Sequence, residues 1–243
     1  MLLVAPGGAA PLFRSFLGAI EGVVGTPYDL RLAAGAFEPE ASTLEHAVQS
    51  LESFVRESMS MPVHLVGHSG GGAVALAFAA AHPRLLASLT ASEPPWVGSS
   101  EAGNIGFLDD LRRVVELPTD EVSGAFARLY AASDDVVAEL PPFDDAQVRI
   151  LRAVAIEYQR AHLDLDKLQE VDVPVLLPYG SHSSNHMAVT ATWLAGQFKR
   201  ARVLQIPGAN HFDLWVLGAA QLAEAWMAMS SPPTEAAEQA RGR

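Results

Sequence analysis

The stretch of this chain best suited to chemistry is Gly67-His68-Ser69-Gly70-Gly71, which sets one hydroxyl among glycines. Before it runs Val63-His64-Leu65-Val66, an apolar segment; after it runs Ala73-Val74-Ala75-Leu76-Ala77-Phe78-Ala79-Ala80-Ala81, a series of good helix formers. The pattern reads strand, sharp turn, helix. In that context G-x-S-x-G is the spacing of a nucleophilic serine carried on a strained turn. Side chains at Gly67 and Gly71 would collide where the helix starts beside the strand. The first N–H groups of the new helix, that of Gly70 among them, lack intrahelical acceptors and point to where an oxyanion would form. A serine hydroxyl alone is a poor nucleophile. It needs a base within hydrogen-bond reach, and the base needs a group to orient it. The chain holds eight histidines and no cysteine, which excludes thiolate nucleophiles, disulfides and thiolate metal sites.

Several elements must position that hydroxyl. Met1 to Ala5 reads as a short buried strand that breaks at Pro6-Gly7-Gly8, without the basic start and long apolar run of a signal peptide. Apolar residues at Leu12, Phe13, Phe16, Leu17 and Ile20 predict one helix over Pro11 to Ile20. A second strand is expected at Tyr28 to Leu32, and an amphipathic helix at Leu44 to Met59. Further strands follow at Leu86 to Ala91, Val173 to Tyr179 and Ala201 to Ile206, with helices at Met187 to Lys199 and Leu217 to Met229. Strands alternating with helices imply a mostly parallel sheet with right-handed crossovers. Residues 97–172 break the rhythm and read as helices at Gly106 to Val115, Asp120 to Ala132, Asp134 to Leu140 and Asp144 to Leu163. An all-helical insertion between two sheet strands is expected to cover the strand ends as a cap. The expected organisation is therefore a core over 1–96 and 173–229, a helical cap over 97–172, and a disordered polar tail over 230–243.

Composition narrows the function. Of 243 residues, 49% are hydrophobic and 18% charged, enough to bury a large core. The net charge of −12 argues against nucleic acid and against an anionic membrane as partners. No transmembrane span is evident, so a cytoplasmic protein is the expectation. His182 and His186 have a spacing that can bind metal on a helix, but the intervening Ser183-Ser184-Asn185 is loop-like and lacks an acidic partner, so no metal is assigned. No cofactor is called for. His64, inside a strand, is expected to be a satisfied core residue.

Three places make the chain resemble the α/β-hydrolase fold superfamily: the turn Gly67 to Gly71, the early turn Ala5-Pro6-Gly7-Gly8, and the late segment Ile206-Pro207-Gly208-Ala209-Asn210-His211-Phe212. The resemblance spans Met1 to about Met229. It implies an α/β fold with a reduced, mostly parallel sheet of about six strands flanked by helices, since two additional strands that most members place first have no counterpart here. It also implies that His211 is the catalytic histidine. The usual position of the acid falls in Tyr179-Gly180-Ser181-His182-Ser183-Ser184-Asn185, which has no carboxylate. The family's alternative position is the end of the strand after the nucleophile helix, where Glu93 precedes Pro94-Pro95. Some bacterial relatives look similar, with Glu-Pro-Pro here and serine at the usual acid position. Asp213 is a competing carboxylate, but two residues from His211 it is too near to reach behind the imidazole easily.

Ser69, Glu93 and His211 then follow the chain order nucleophile, acid, histidine. The roles implied are nucleophile for Ser69, general base and acid for His211, and orientation of the imidazole for Glu93. The N–H of Gly70 and one from the early turn, assigned to Gly8, would hold the oxyanion. Trp96, Phe107, Phe126, Tyr130, Phe143 and Tyr158 are the aromatic candidates for a pocket taking a small hydrophobic substrate. The leading expectation is an esterase or thioesterase working through an acyl-enzyme. A non-hydrolytic biosynthetic enzyme on the same site (carbon–carbon cleavage, acyl transfer or cyclisation) and a catalytically silent binding protein stay open, because fold does not decide reaction. Sequence leaves the oligomeric state unassigned.

Overall fold

The computed structural model describes residues 1–5, 9–29, 43–95, 104–131, 143–145, 148–149, 151–152, 155 and 163–230. Six parallel strands form one sheet: β1 (Leu2–Ala5), β2 (Thr26–Asp29), β3 (Val63–His68), β4 (Leu86–Ser92), β5 (Val175–Gly180) and β6 (Ala201–Ile206). Their spatial order is β2-β1-β3-β4-β5-β6. The chain steps one way from β1 to β2, then returns to the other side of β1 with β3. Strand direction of travel therefore reverses between β1 and β3, and a parallel sheet binds its ligands at such a switch, beyond the carboxyl ends of the strands.

The four inner strands, β1, β3, β4 and β5, are buried on both faces, as a helix-covered parallel sheet requires, while the edge strands β2 and β6 are partly exposed. Alternation sorts their side chains. Leu2 and Val4 join Leu65, Leu89, Val175 and Leu177 in a cluster with α3 (Leu44–Ser58) and α4 (Gly70–Ala81). Leu3 and Ala5 face the other way, with Val66 and Ile206, against α2 (Arg14–Gly18). The helix α4 is buried almost throughout, which matches its uniformly apolar sequence. Thr43 caps α3 by accepting the His46 N–H at 3.1 Å.

Several boundaries differ from expectation. The segment expected to be one helix over Pro11 to Ile20 is two, α1 (Ala9–Leu12) and α2, interrupted at Phe13. Phe13 is fully buried, with its ring edge-on to Trp215 at 4.6 Å, so tertiary packing outweighs helical continuity. Strand β2 begins two residues earlier than expected, at Thr26; Pro27 is tolerated because β2 is an edge strand.

The insertion supplies α5 (Asn104–Glu116) and α6 (Thr119–Tyr130). Their apolar faces meet in a third cluster that includes Phe107, Leu111, Val122, Phe126 and Tyr130 and takes in Met187 from the sheet side. Arg152 ties this region together by donating to the carbonyls of Val115 at 2.9 Å and Leu117 at 2.8 Å. The helix expected at Asp134 to Leu140 lies outside the described residues, as does most of the one expected at Asp144 to Leu163. A helix the sequence reading missed, α7 (Leu165–Glu170), is capped by Asp164, which accepts the Lys167 N–H at 3.2 Å. It buries Leu168 in the α3–α4 cluster. Helix α8 (Asn185–Ala195) starts earlier and ends sooner than expected. The last expected helix, Leu217 to Met229, is α10 (Ala219–Ser230); a short helix that was not expected, α9 (Leu214–Leu217), precedes it, separated at Gly218. A Cβ on Gly218 would lie 2.6 Å from the Leu214 carbonyl oxygen, so the tight turn there needs glycine. Among the described residues no helix is long and apolar enough to cross a membrane.

Candidate active site

Three loops at the carboxyl ends of β3, β4 and β6 bring Ser69, Glu93 and His211 together. The turn after β3 is set by close approach. A Cβ on Gly67 would stand 2.3 Å from the Gly71 carbonyl oxygen, and one on Gly71 would stand 2.2 Å from that of Val4. With glycine at both places the helix α4 can begin immediately beside β1 and β3. The cost falls on Ser69, whose backbone takes φ 53° and ψ −125°. Its N–H donates to the Ser92 carbonyl at 2.9 Å, which fastens the strained turn to the end of β4. Among the described residues the non-glycine positions with positive φ are Ser69 and Glu93, the latter at φ 45°. Such conformations cost about 1–3 kcal/mol each and persist only where surrounding structure imposes them. Both fall on side chains that meet the same imidazole.

His211 Nδ1 lies 2.6 Å from Glu93 Oε2, and His211 Nε2 lies 3.2 Å from Ser69 Oγ. A carboxylate only accepts, so Nδ1 carries the hydrogen and donates to Glu93. Nε2 is the ring nitrogen that faces Ser69 Oγ. Glu93 is 2% exposed and its second oxygen is also used. Oε1 accepts the Gly180 N–H at 2.8 Å and the Ser183 hydroxyl at 2.5 Å. The buried carboxylate thus receives three donors, which is what makes its burial tolerable.

The loop after β6 is braced by its own polar groups. Asp213 accepts from the Asn210 N–H at 2.7 Å and from the Asn210 side-chain amide at 2.6 Å, while Asn210 Oδ1 accepts the Phe212 N–H at 2.8 Å. Asp213 is therefore committed to shaping the loop that carries His211. This loop is joined to the one after β5: the His182 N–H donates to the Ala209 carbonyl at 2.8 Å, and the Gly208 N–H to Ser181 Oγ at 2.8 Å.

Among the described residues three rings touch the His211 imidazole. Tyr130 lies at a centroid distance of 4.2 Å and a tilt of 39°, His68 at 4.6 Å and 36°, and Phe212 edge-on at 5.3 Å. His68 is buried, with Nδ1 2.9 Å from Ser92 Oγ. Burial, then the neighbouring His211, push its pKa well below the usual histidine value, against a contribution from hydrogen bonding to the His211 backbone. His68 is therefore neutral.

Gly70 opens α4 as its first residue, so its N–H has no intrahelical acceptor. Gly8 lies outside the described residues, as do Trp96 and Tyr158. Phe107 and Phe126 are buried, Phe143 is half-buried, and these three share the α5–α6 cluster with Tyr130. Phe107 stacks on His186 at 4.2 Å with planes 4° apart. Burial pushes the His186 pKa down to about 4, and its Nε2 is 3.2 Å from Thr190 Oγ1. Among the described residues no group of three or more histidine, aspartate or glutamate side chains could hold a metal ion. His64 is half-buried and is satisfied by Ser88 Oγ at 2.8 Å from Nδ1.

Sequence reasoning missed the parts played by His68 and Ser183. His68 occupies a motif position where any residue is allowed, so its type carried no signal. Ser183 stood in a run of serines, and only its distance from Glu93 distinguishes it.

The chain belongs to the alpha/beta hydrolase family, whose model matches residues 2–225. It is an enzyme of that family. No curated protein sequence matches it. Among solved structures it is similar to a bromoperoxidase from Bacillus anthracis, at 14% identity over 94% of this chain and 90% of that one, with a TM-score of 0.72. An esterase from Thermogutta terrifontis is similar at 19% identity over 95% and 90%, TM-score 0.71. An alpha/beta hydrolase from a Medee basin deep-sea metagenome library is similar at 15% over 96% and 90%, TM-score 0.73. At these identities the likeness is one of fold.

Proposed function

We propose that this protein is a serine hydrolase of esterase or thioesterase type, acting on a small hydrophobic substrate through Ser69, His211 and Glu93. The observation that carries this reading is the unbroken contact path Ser69 Oγ to His211 Nε2 at 3.2 Å and His211 Nδ1 to Glu93 Oε2 at 2.6 Å. In the proposed reaction Ser69 Oγ attacks the substrate carbonyl carbon while its proton passes to His211 Nε2. The carbonyl oxygen becomes an oxyanion facing the N–H of Gly70, with a second donor from the turn at Gly8. Collapse of this intermediate expels the alcohol or thiol, which takes the proton from His211 and leaves an acyl-Ser69. Water then attacks the acyl group, giving its proton to His211, and release of the acid restores the hydroxyl. Glu93 keeps the proton on Nδ1 and offsets the imidazolium charge throughout.

The helices of 97–172 would act as a cap over this site. In support, the apolar cluster of α5 and α6 reaches the imidazole through Tyr130 and includes Phe212. That apolar surrounding suits an uncharged acyl or alcohol group. A net charge of −12 favours such a substrate, met in the cytoplasm, over nucleic acid or an anionic membrane surface.

The test uses short p-nitrophenyl esters and acyl thioesters, with a fluorophosphonate probe as the covalent reporter. Ser69→Ala is expected to abolish both turnover and labelling. Glu93→Gln is expected to slow labelling by at least about a hundredfold, since an acid that fixes the imidazole is worth several powers of ten. Turnover that survives Ser69→Ala would exclude the reading.

A further inference from the structure

The last residues of α6 touch the site in more ways than a covering helix requires. Tyr130 is 2% exposed, and its ring lies 4.2 Å from that of His211. Its carbonyl accepts the Ser184 N–H at 3.0 Å. The next residue, Ala131, forms an antiparallel bridge with Ser183. Ser183 in turn donates to Glu93 Oε1. One helix end thus contacts the ring of the proposed base and grips the turn that holds the proposed acid.

We infer that Tyr130 is a positioning residue: its ring keeps the His211 imidazole in register with Ser69 and favours its charged form, so the end of α6 belongs to the working site. The physical case has two parts. Proton transfer over 3.2 Å tolerates little drift of the imidazole, and about 1 Å of misplacement can cost a hundredfold in rate. An aromatic ring close to a cation also stabilises it, by a factor of about 3 to 30. A second close ring, His68, is neutral, so the charge created on turnover is not opposed from that side. Tyr130 has almost no surface left for a substrate, which separates this role from the pocket-lining one expected from sequence.

This inference rests on the proposed hydrolase reaction, and the experiment separates the two. Steady-state kinetics on the p-nitrophenyl esters are measured for Tyr130→Leu and Tyr130→Phe, with Ser69→Ala alongside. Tyr130→Leu is expected to lower kcat about tenfold with KM changed less than about twofold, and Tyr130→Phe to stay within about twofold in both. A raised KM at unchanged kcat would make Tyr130 a wall of the substrate pocket and overturn the inference. So would unchanged kinetics, or a Phe variant as impaired as the Leu variant. Where Tyr130→Leu does not fold, Tyr130→Met, which keeps bulk without a ring, is read in its place. Activity that persists in Ser69→Ala removes the reaction itself; loss there with normal Tyr130→Leu removes only the positioning role.

Discussion

Glu93 shows how a buried carboxyl group is held in place. Its oxygens take the His211 Nδ1–H, the Gly180 N–H and the Ser183 hydroxyl, and its own backbone is held at φ 45°. Ser183 stands in the loop after β5, where the resemblance located the usual acid. Ser183 instead donates a hydrogen bond to Glu93 Oε1. Removing a hydrogen bond to a charged, buried group costs about 1.5–3 kcal/mol. On the proposed mechanism, Ser183→Ala therefore lowers kcat/KM by roughly tenfold or more, because Glu93 loses one of two contacts that fix Oε1. Esterase kinetics on the purified variant check this; an unchanged kcat/KM would mean that Gly180 alone suffices.

The elements matter through how closely they approach. Helix α4 can start beside β1 because positions 67 and 71 have no side chains, and this closeness is what exposes the Ser69 hydroxyl above the sheet. Gly71→Ala would set a Cβ 2.2 Å from the Val4 carbonyl oxygen and 2.9 Å from the Ala5 Cα. Both neighbours are backbone in a fully buried strand, so neither can turn aside. The expected destabilisation is about 3 kcal/mol or more, at the upper end for overpacking. Urea unfolding followed by tryptophan fluorescence measures it directly. The helix break at Phe13 follows the same logic: periodicity named the apolar residues, while contact with Trp215 decided where the helix is interrupted.

At the scale of the whole molecule, burial pushes down three histidines among the described residues: His68, well below the usual value, His186, down to about 4, and His64, which is lowered. The unfolded chain binds protons at these positions near the ordinary histidine value, which is higher. Their folded pKa values are depressed, so the neutral-pH stability is lost as pH falls below about 6.5, and for His186 the loss continues to about 4. Each contributes a slope of up to about 1.4 kcal/mol per pH unit in that window. Thermal midpoints should therefore fall between pH 7 and pH 5, and His186→Asn should flatten the decline. A midpoint flat over this range would mean that these histidines titrate normally.

The serine turn was legible in the sequence because its constraint is local: five consecutive residues set the glycine spacing, and the flanking runs set strand and helix. The six-strand parallel sheet was legible for a similar reason, since alternation of short apolar runs with helical stripes follows from covering both faces of a sheet. The partners of the serine, His211 and Glu93, were named only through the family resemblance, because no local pattern links them to it. His211 is 142 residues from Ser69 and 118 from Glu93, and only the adjacency of β3, β4, β5 and β6 brings their loops to one place. No local pattern separates Ser183 from the serines around it, or Tyr130 from other aromatic residues of α5 and α6. Their contacts depend on how distant segments pack, and that packing is decided by the burial of the whole core.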